Sequence, residues 1–213
     1  MKEQNIKDEQ IYIAGWKTPD DWRTFKTELL QSKNSMVWEK AYEDYFVQRL
    51  RLRYLDPIKV LQENGTYQGE GFSIVAIQCT LVEFLESTLQ GVRYRYLGRG
   101  ESPGEYEYSS SREIFTQFLT TRKPFSDYFD NSLAMEFYVN IRCALLHEAC
   151  TKNGWRIWAK NSHGKIVEAE RKIVFRDHFQ NAFLTFIQTY KHELMLNPSL
   201  QRAFIRKFDS LCE

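Results

Sequence analysis

Residues 137–150 read FYVNIRCALLHEAC. Arg142 and His147 stand five positions apart in a run otherwise apolar enough for the middle of a core helix. Burying either group without a partner costs several kcal/mol, so each needs a structural partner or a task. An imidazole titrates near neutrality and can carry a proton. A guanidinium stays charged and offers a planar fork to phosphate oxygens. Three other uses of these residues compete. Structurally, His147 would bond a backbone carbonyl and Arg142 a buried carboxylate such as Glu83 or Glu86. As a metal site, Cys143, His147 and Cys150 fall at i, i+4 and i+7, with no fourth ligand in view. As a nucleophile pair, Cys143 and His147 are one turn apart but have no orienting third group.

Helical projection sharpens the question. At about 100° per residue, Glu136, Asn140, Cys143 and His147 fall within about 60° of one another and make a polar stripe. Arg142 lies nearly opposite, among Met135, Tyr138, Val139 and Leu146. Arg142 and His147 are about 140° apart on a regular helix. They can serve one site only through a local distortion, the reach of the arginine, or a second copy of the helix across a dimer axis.

The elements that must position this helix can be read from pattern. Residues 1–34 read as an N-terminal arm, with IYIAGW packing as a short strand or apron, and a short helix. That helix opens at Pro19-Asp20-Asp21, runs to Gln31 and carries an apolar stripe of Trp22, Phe25, Leu29 and Leu30. SKNS resets the chain. A long helix is expected over residues 35–55, with Val37, Trp38, Ala41, Tyr45, Leu52 and Leu55 on its buried side. Asp56-Pro57 predicts a new short helix, stopping at Asn64-Gly65. Residues 71–90 are apolar on most sides, as in a central bundle helix ended by Gly91. The next twenty residues predict a long surface loop. Helices are expected over 111–121, 132–151, 176–196 and from Asn197-Pro198-Ser199 to the end. Between the second and third of these, WRIWAK and KIVEAERKIVF flank the turn signal NSHG and predict a small β-hairpin at about 154–175, with a third short strand allowed. The fold class is mainly α: a helical bundle with a β-hairpin inserted before the last two helices, residues 35–213 forming the main domain.

Composition narrows the function classes. Apolar residues are 43% and aromatics 15%, enough for a sizeable core. The formal net charge is +1, so a globally basic nucleic-acid binder is not indicated, while a local basic patch stays open. The four cysteines form no CxxC motif, which suits a reducing compartment. The polar MKEQNIKDEQ start has no apolar signal region, and no run approaches the length of unbroken apolar residues that a membrane span needs. The expectation is a cytoplasmic protein without membrane association, metal or cofactor.

Arg142-Cys143-Ala144-Leu145-Leu146-His147 is an RxxxxH motif. It sits on an apolar helix preceded by another, SIVAIQCTLVEFLES, with embedded acids. In this the chain resembles HEPN domains, over roughly residues 35–195. Cys143 stands where that family often has Asn, Asp or His. The resemblance implies a HEPN-like bundle and a metal-independent endoribonuclease. It also implies a two-fold homodimer in which the motif helices meet, so that one cleft holds two arginines and two histidines. Arg142 and His147 would be catalytic, with Asn140 nearby as a substrate-binding group. Such proteins occur in toxin–antitoxin and other anti-phage defence systems, with an antitoxin or other defence protein as partner. Other members are non-catalytic modules that bind a nucleotide, RNA or protein.

An RNA substrate needs basic and aromatic surface. The loop VRYRYLGRG offers Arg93, Arg95 and Arg99 interleaved with Tyr94 and Tyr96, a mix that can pair phosphates and stack bases. Glu101, Glu105 and Glu107 come next and weaken its field. Arg49, Arg51 and Arg53 read as solvated or paired. Trp155 and Trp158, taken to lie on one side of the strand, read as hairpin packing and not base platforms, and His163, His178 and His192 as structural.

Overall fold

The computed structural model of the chain describes residues 10–32, 34–66 and 68–213. The first nine residues of the expected arm, and Lys33 of SKNS, lie outside the described residues.

Helix α1 (Pro19–Gln31) starts where the sequence indicates, through a reciprocal cap. Asp21 N–H donates to Thr18 Oγ1, and Thr18 N–H donates to the Asp21 carboxylate. Trp22, Phe25 and Leu29 point inward, but Leu30 is exposed. Helix α2 is an unbroken run over residues 35–64, capped by Asn34. Two stretches of it, Tyr42–Val47 and Arg51–Leu55, are π-helical. Each wide turn takes up an extra residue and rotates the rest of the helix about its axis. The buried side therefore runs through Phe46, Leu50 and Ile58, and Leu52 is 54% exposed. The break expected at Asp56-Pro57 is absent. A proline ring in a regular helix meets the carbonyl four residues back. Here the widened Arg51–Leu55 turn lies directly ahead of Pro57, and the helix continues.

Helix α3 (Glu70–Gln90) is the centre of the bundle. By length and composition it could cross a membrane, yet most of it is buried among the other helices. Gly91 ends it at φ +66°, against the backbone of Ala203. Within the loop after it, strands β1 (Arg93–Tyr94) and β2 (Glu107–Tyr108) make a short parallel pair. Helix α4 (Ser111–Thr121) is capped by Ser110, and one tight turn, Phe125–Asp127, leads into α5. Helix α5, residues 131–148, contains a third π-helical stretch, Tyr138–Cys143.

Three strands come next: β3 (Arg156–Trp158), β4 (Val167–Glu168) and β5 (Ile173–Phe175), in the order β3-β5-β4. The hairpin is not across NSHG. It joins β4 to β5 through residues 169–172, where Lys172 N–H bonds Ala169 O at 3.0 Å and Lys172 takes φ +53°. The two Ile/Val pairs of KIVEAERKIVF are thus the antiparallel partners. β3 lies parallel to β5, and NSHG is part of the crossover. Helices α6 (Arg176–Leu196) and α7 (Pro198–Ser210) complete the chain, the latter capped by Asn197.

Two aromatic clusters fill the core. Phe118, Phe125, Phe179 and Phe183 pack in close succession, with ring centroids 4.9 Å apart for Phe118–Phe125 and 4.8 Å for Phe179–Phe183. Trp22, Tyr45, Phe204 and Phe208 form the other, with Trp22–Tyr45 at 5.0 Å and Phe204–Phe208 at 4.5 Å. Helix α1 therefore belongs to the same core as residues 35–213, tied further by Trp22 Nε1 and Lys26 Nζ donating to Asp209.

Some polar groups on α3 reach a neighbouring segment. Gln78 donates to Arg176 O on α6. Glu86 is fully buried and takes two hydrogen bonds from Arg122, at 2.9 and 2.8 Å. Removing one member of such a pair strands a charge. Arg122→Ala should lower stability by about 3 kcal/mol, read from urea unfolding, and Arg122→Ala with Glu86→Leu should recover much of that loss.

Candidate functional site

The motif helix is shaped by its π turn. Ala144 N–H bonds Ile141 O, three residues back, which leaves Asn140 O free of the ladder. That carbonyl accepts Lys152 N–H at 2.9 Å, and the Asn140 side-chain oxygen accepts Asn153 Nδ2 at 2.7 Å. Asn140 is buried. It therefore clasps the returning 149–153 segment and does not face solvent as a substrate-binding group. The expected polar stripe is split: Asn140 turns inward beside Ile141, while His147 is exposed on the last turn. Ala149, at φ +53°, ends the helix. Cys150 lies beyond that reversal, so the i+7 position of a metal face does not exist. No group of three His, Cys, Asp or Glu side chains is gathered for a metal among the described residues.

Arg142 points at α3. Its Nε and Nη2 both donate to Glu83 Oε1, at 3.0 and 2.6 Å, and its guanidinium lies 5.3 Å from the Tyr138 ring centroid. Of the two acids weighed for it, Glu83 holds Arg142 and Glu86 holds Arg122. The Arg142 side chain is 16% exposed, so the pair is only partly sealed. Both bonds run to one carboxylate oxygen and leave Nη1 outside the ion pair. Burial, the largest single influence, pulls the Arg142 pKa down, but Glu83 together with Tyr138 and Cys143 pulls it up further, and the net shift is upward, so the cation is secure. Beneath the pair, Cys79 is buried and its thiol is pushed up by burial. His147 has no hydrogen-bond partner among the described residues. Met135, Val139 and Leu146, which share the Arg142 side of α5 in projection, are all exposed.

The arginine–tyrosine loop is differently engaged. Arg93 Nη2 bonds Glu107 Oε1 at 3.0 Å and also pairs with Glu213. Arg95 bonds Glu107 Oε2 at 3.0 Å and Glu101 at 3.4 Å. Tyr94 stands edge-on to Tyr108 with centroids 5.6 Å apart. Both arginines are thus neutralised by the acids that come after them in sequence. Elsewhere, Arg49 and Arg53 hold the carbonyls of Ile13 and Tyr12, and Arg51 pairs with Asp56. His178 bonds the Asn161 backbone. Trp155 is 3% exposed and donates to Glu136, but Trp158 is 42% exposed. Their odd spacing puts them on opposite sides of the strand, a signal present in the sequence that assigning both to packing overlooks.

Comparison with protein-family models, curated proteins and solved structures finds no match to this chain.

Glu107 carries a pH dependence. The Gly104 N–H first, then Arg95 and Arg93, hold its carboxyl down at about 2, against an ordinary 4.5. A depressed acid contributes stability above its unfolded pKa and loses it as pH falls through the folded one. The clasp should therefore be intact above pH 4.5 and open as pH falls toward 2. Amide exchange at Arg93 and Arg95, whose N–H groups bond Tyr106 O and Tyr108 O, should be faster in Glu107→Gln than in wild type at neutral pH. That difference should vanish across the same window.

Proposed function

We propose that this protein is a metal-independent endoribonuclease that works as a two-fold homodimer through α5. One observation carries the reading: α5 leaves His147 free and exposed, and beside Arg142 it exposes Met135, Val139 and Leu146. An unpartnered apolar stripe on the helix that bears the motif is what a second α5 would cover. Such pairing supplies the convergence that one helix denies, since Arg142 faces α3 and His147 faces solvent.

The chemistry uses the substrate's own 2′-hydroxyl. His147 accepts its proton as the 2′-oxygen attacks phosphorus. The P–O5′ bond breaks, and the imidazolium of the second copy returns a proton to the leaving 5′-oxygen. Products are a 2′,3′-cyclic phosphate and a 5′-hydroxyl. Arg142, pre-oriented by Glu83, offers its remaining N–H groups to the charge that develops on the phosphorane. DNA lacks the nucleophile and is not cut. The resemblance to HEPN domains extends the proposal to a cytoplasmic role in anti-phage defence or a toxin–antitoxin pair.

A second reading, a non-catalytic HEPN-like module binding a nucleotide, RNA or protein, is favoured by one fact. Arg142 already has a carboxylate partner and an aromatic neighbour. The two readings divide in a single assay. Wild-type protein should cleave RNA in EDTA, with mapped ends of the kinds named above. His147→Ala should lose about 10²-fold or more, and Arg142→Ala a similar amount. Val139→Glu should give a folded monomer by light scattering and abolish cleavage. Equal cleavage by wild type and His147→Ala would remove the catalytic assignment, and a fully active monomer would remove the composite site.

A further inference from the structure

The described residues carry one surface that neither the motif nor the arginine–tyrosine loop accounts for. On β3, Arg156 and Trp158 lie two residues apart and so share a face, which is exposed. The Trp158 indole stands edge-on to the buried Phe175 ring, with centroids 6.2 Å apart at 86°. The indole is 42% exposed, and two guanidiniums lie over its ring, Arg156 at 5.7 Å and Arg171 at 5.3 Å from the centroid. They are fixed to each other, since Arg156 Nη2 donates to Arg171 O at 3.0 Å, and Arg171 bonds Glu168 at 2.9 Å.

Charge distinguishes this place from the rest of the molecule. Residues 152–172 hold six Lys and Arg against two Glu, in a chain whose formal net charge is only +1; Lys152, Arg171 and Lys172 pair with Glu148, Glu168 and Glu136. Arg156 bonds a carbonyl and no carboxylate among the described residues. Lys160 and Lys165, both exposed, have no carboxylate partner there either. The Asn161 Nδ2 bond to Lys165 O, at 3.0 Å, draws Lys165 back toward the end of β3. Around the β1–β2 loop, by contrast, Arg93 and Arg95 are matched by acids. A half-exposed indole layered with guanidiniums, beside cations that have no carboxylate partner, suits a flexible polyanion with aromatic rings. A base can stack against this indole–guanidinium layer while the free cations meet the flanking phosphates.

We propose that the face of the β3-β5-β4 sheet around Trp158 binds single-stranded RNA. One base stacks against the layer formed by the indole and the guanidiniums over it, and Arg156, Lys160 and Lys165 meet the adjacent phosphates. The identification of the strand as RNA rests on the ribonuclease reading; the surface chemistry does not depend on cleavage.

The test is a fluorescence-anisotropy titration of the full chain with fluorescein-labelled 2′-O-methyl oligouridylate and oligoadenylate, strands that cannot be cut through the 2′-oxygen. Wild type should bind both, more weakly as salt rises. Trp158→Ala should raise Kd about tenfold, and Trp158→Phe should restore most of the affinity. Lys160→Glu with Lys165→Glu, both on exposed side chains, should abolish binding even if Trp158→Ala folds poorly. Arg93→Ala with Arg95→Ala should leave binding unchanged. Absence of binding to either strand overturns the proposal, as does binding indifferent to Trp158→Ala and to the lysine pair. A protein that binds through Trp158 but never cleaves unmodified RNA keeps the platform and loses the ribonuclease. One that cleaves with a dispensable Trp158 does the reverse.

Discussion

A carboxylate inside an apolar helix is tolerable only where a cation or several donors reach it. Besides Glu70 at its start, which pairs with Arg176, helix α3 carries two such acids in its body, Glu83 and Glu86, one turn apart on a helix surrounded by the rest of the bundle. Glu86 draws in Arg122 from the end of α4, and Glu83 draws in Arg142 from α5. Gln78 does the same toward α6. The aromatic clusters supply most of the cohesion, but they are non-directional. The polar outlets of α3 select which helix lies where. Arg142 is therefore a structural residue before it is anything else, and any catalytic use of it starts from a guanidinium already oriented.

Much of the architecture is legible because helix ends are written in chemistry. Thr18 with Asp21, Asn34, Ser110 and Asn197 all cap where their types predict, and Gly91 stops α3 by adopting a backbone that side chains resist. Periodicity that departs from 3.6 residues is not legible. No single residue type signals a wide turn, so a regular projection puts Leu52 inside when it is outside, and makes Pro57 a start when it is an interior position. Strand pairing misleads for another reason. NSHG has the residues of a tight turn, yet the better β-partners are the two Ile/Val pairs of one segment, and the turn between them looks merely charged.

At the site, the sequence names the two acids available to Arg142 and cannot rank them. It does not reveal that Asn140 is consumed by the segment after its own helix, because that needs a carbonyl released by the wide turn. The arginine–tyrosine loop looks cationic residue by residue. Glu107 and Glu101, already visible as a weakening field, fold back onto those arginines. The sheet looks like packing, although an odd spacing of tryptophans in a strand puts them on opposite faces. In each case local composition is a sound guide to residue character, and the difference lies in which neighbours tertiary folding brings.

The wide turn at Tyr138–Cys143 also has a bearing on lineage and design. A π turn is one residue in surplus over a regular helix. Excising a single position there would restore an ordinary α-helix and swing everything after it, the imidazole included, by about 100° about the axis. The same deletion would recapture the Asn140 carbonyl and release the 149–153 return. In that sense the surplus residue acts as a key cut into the helix, and its removal would leave the motif intact in spelling while changing where it points.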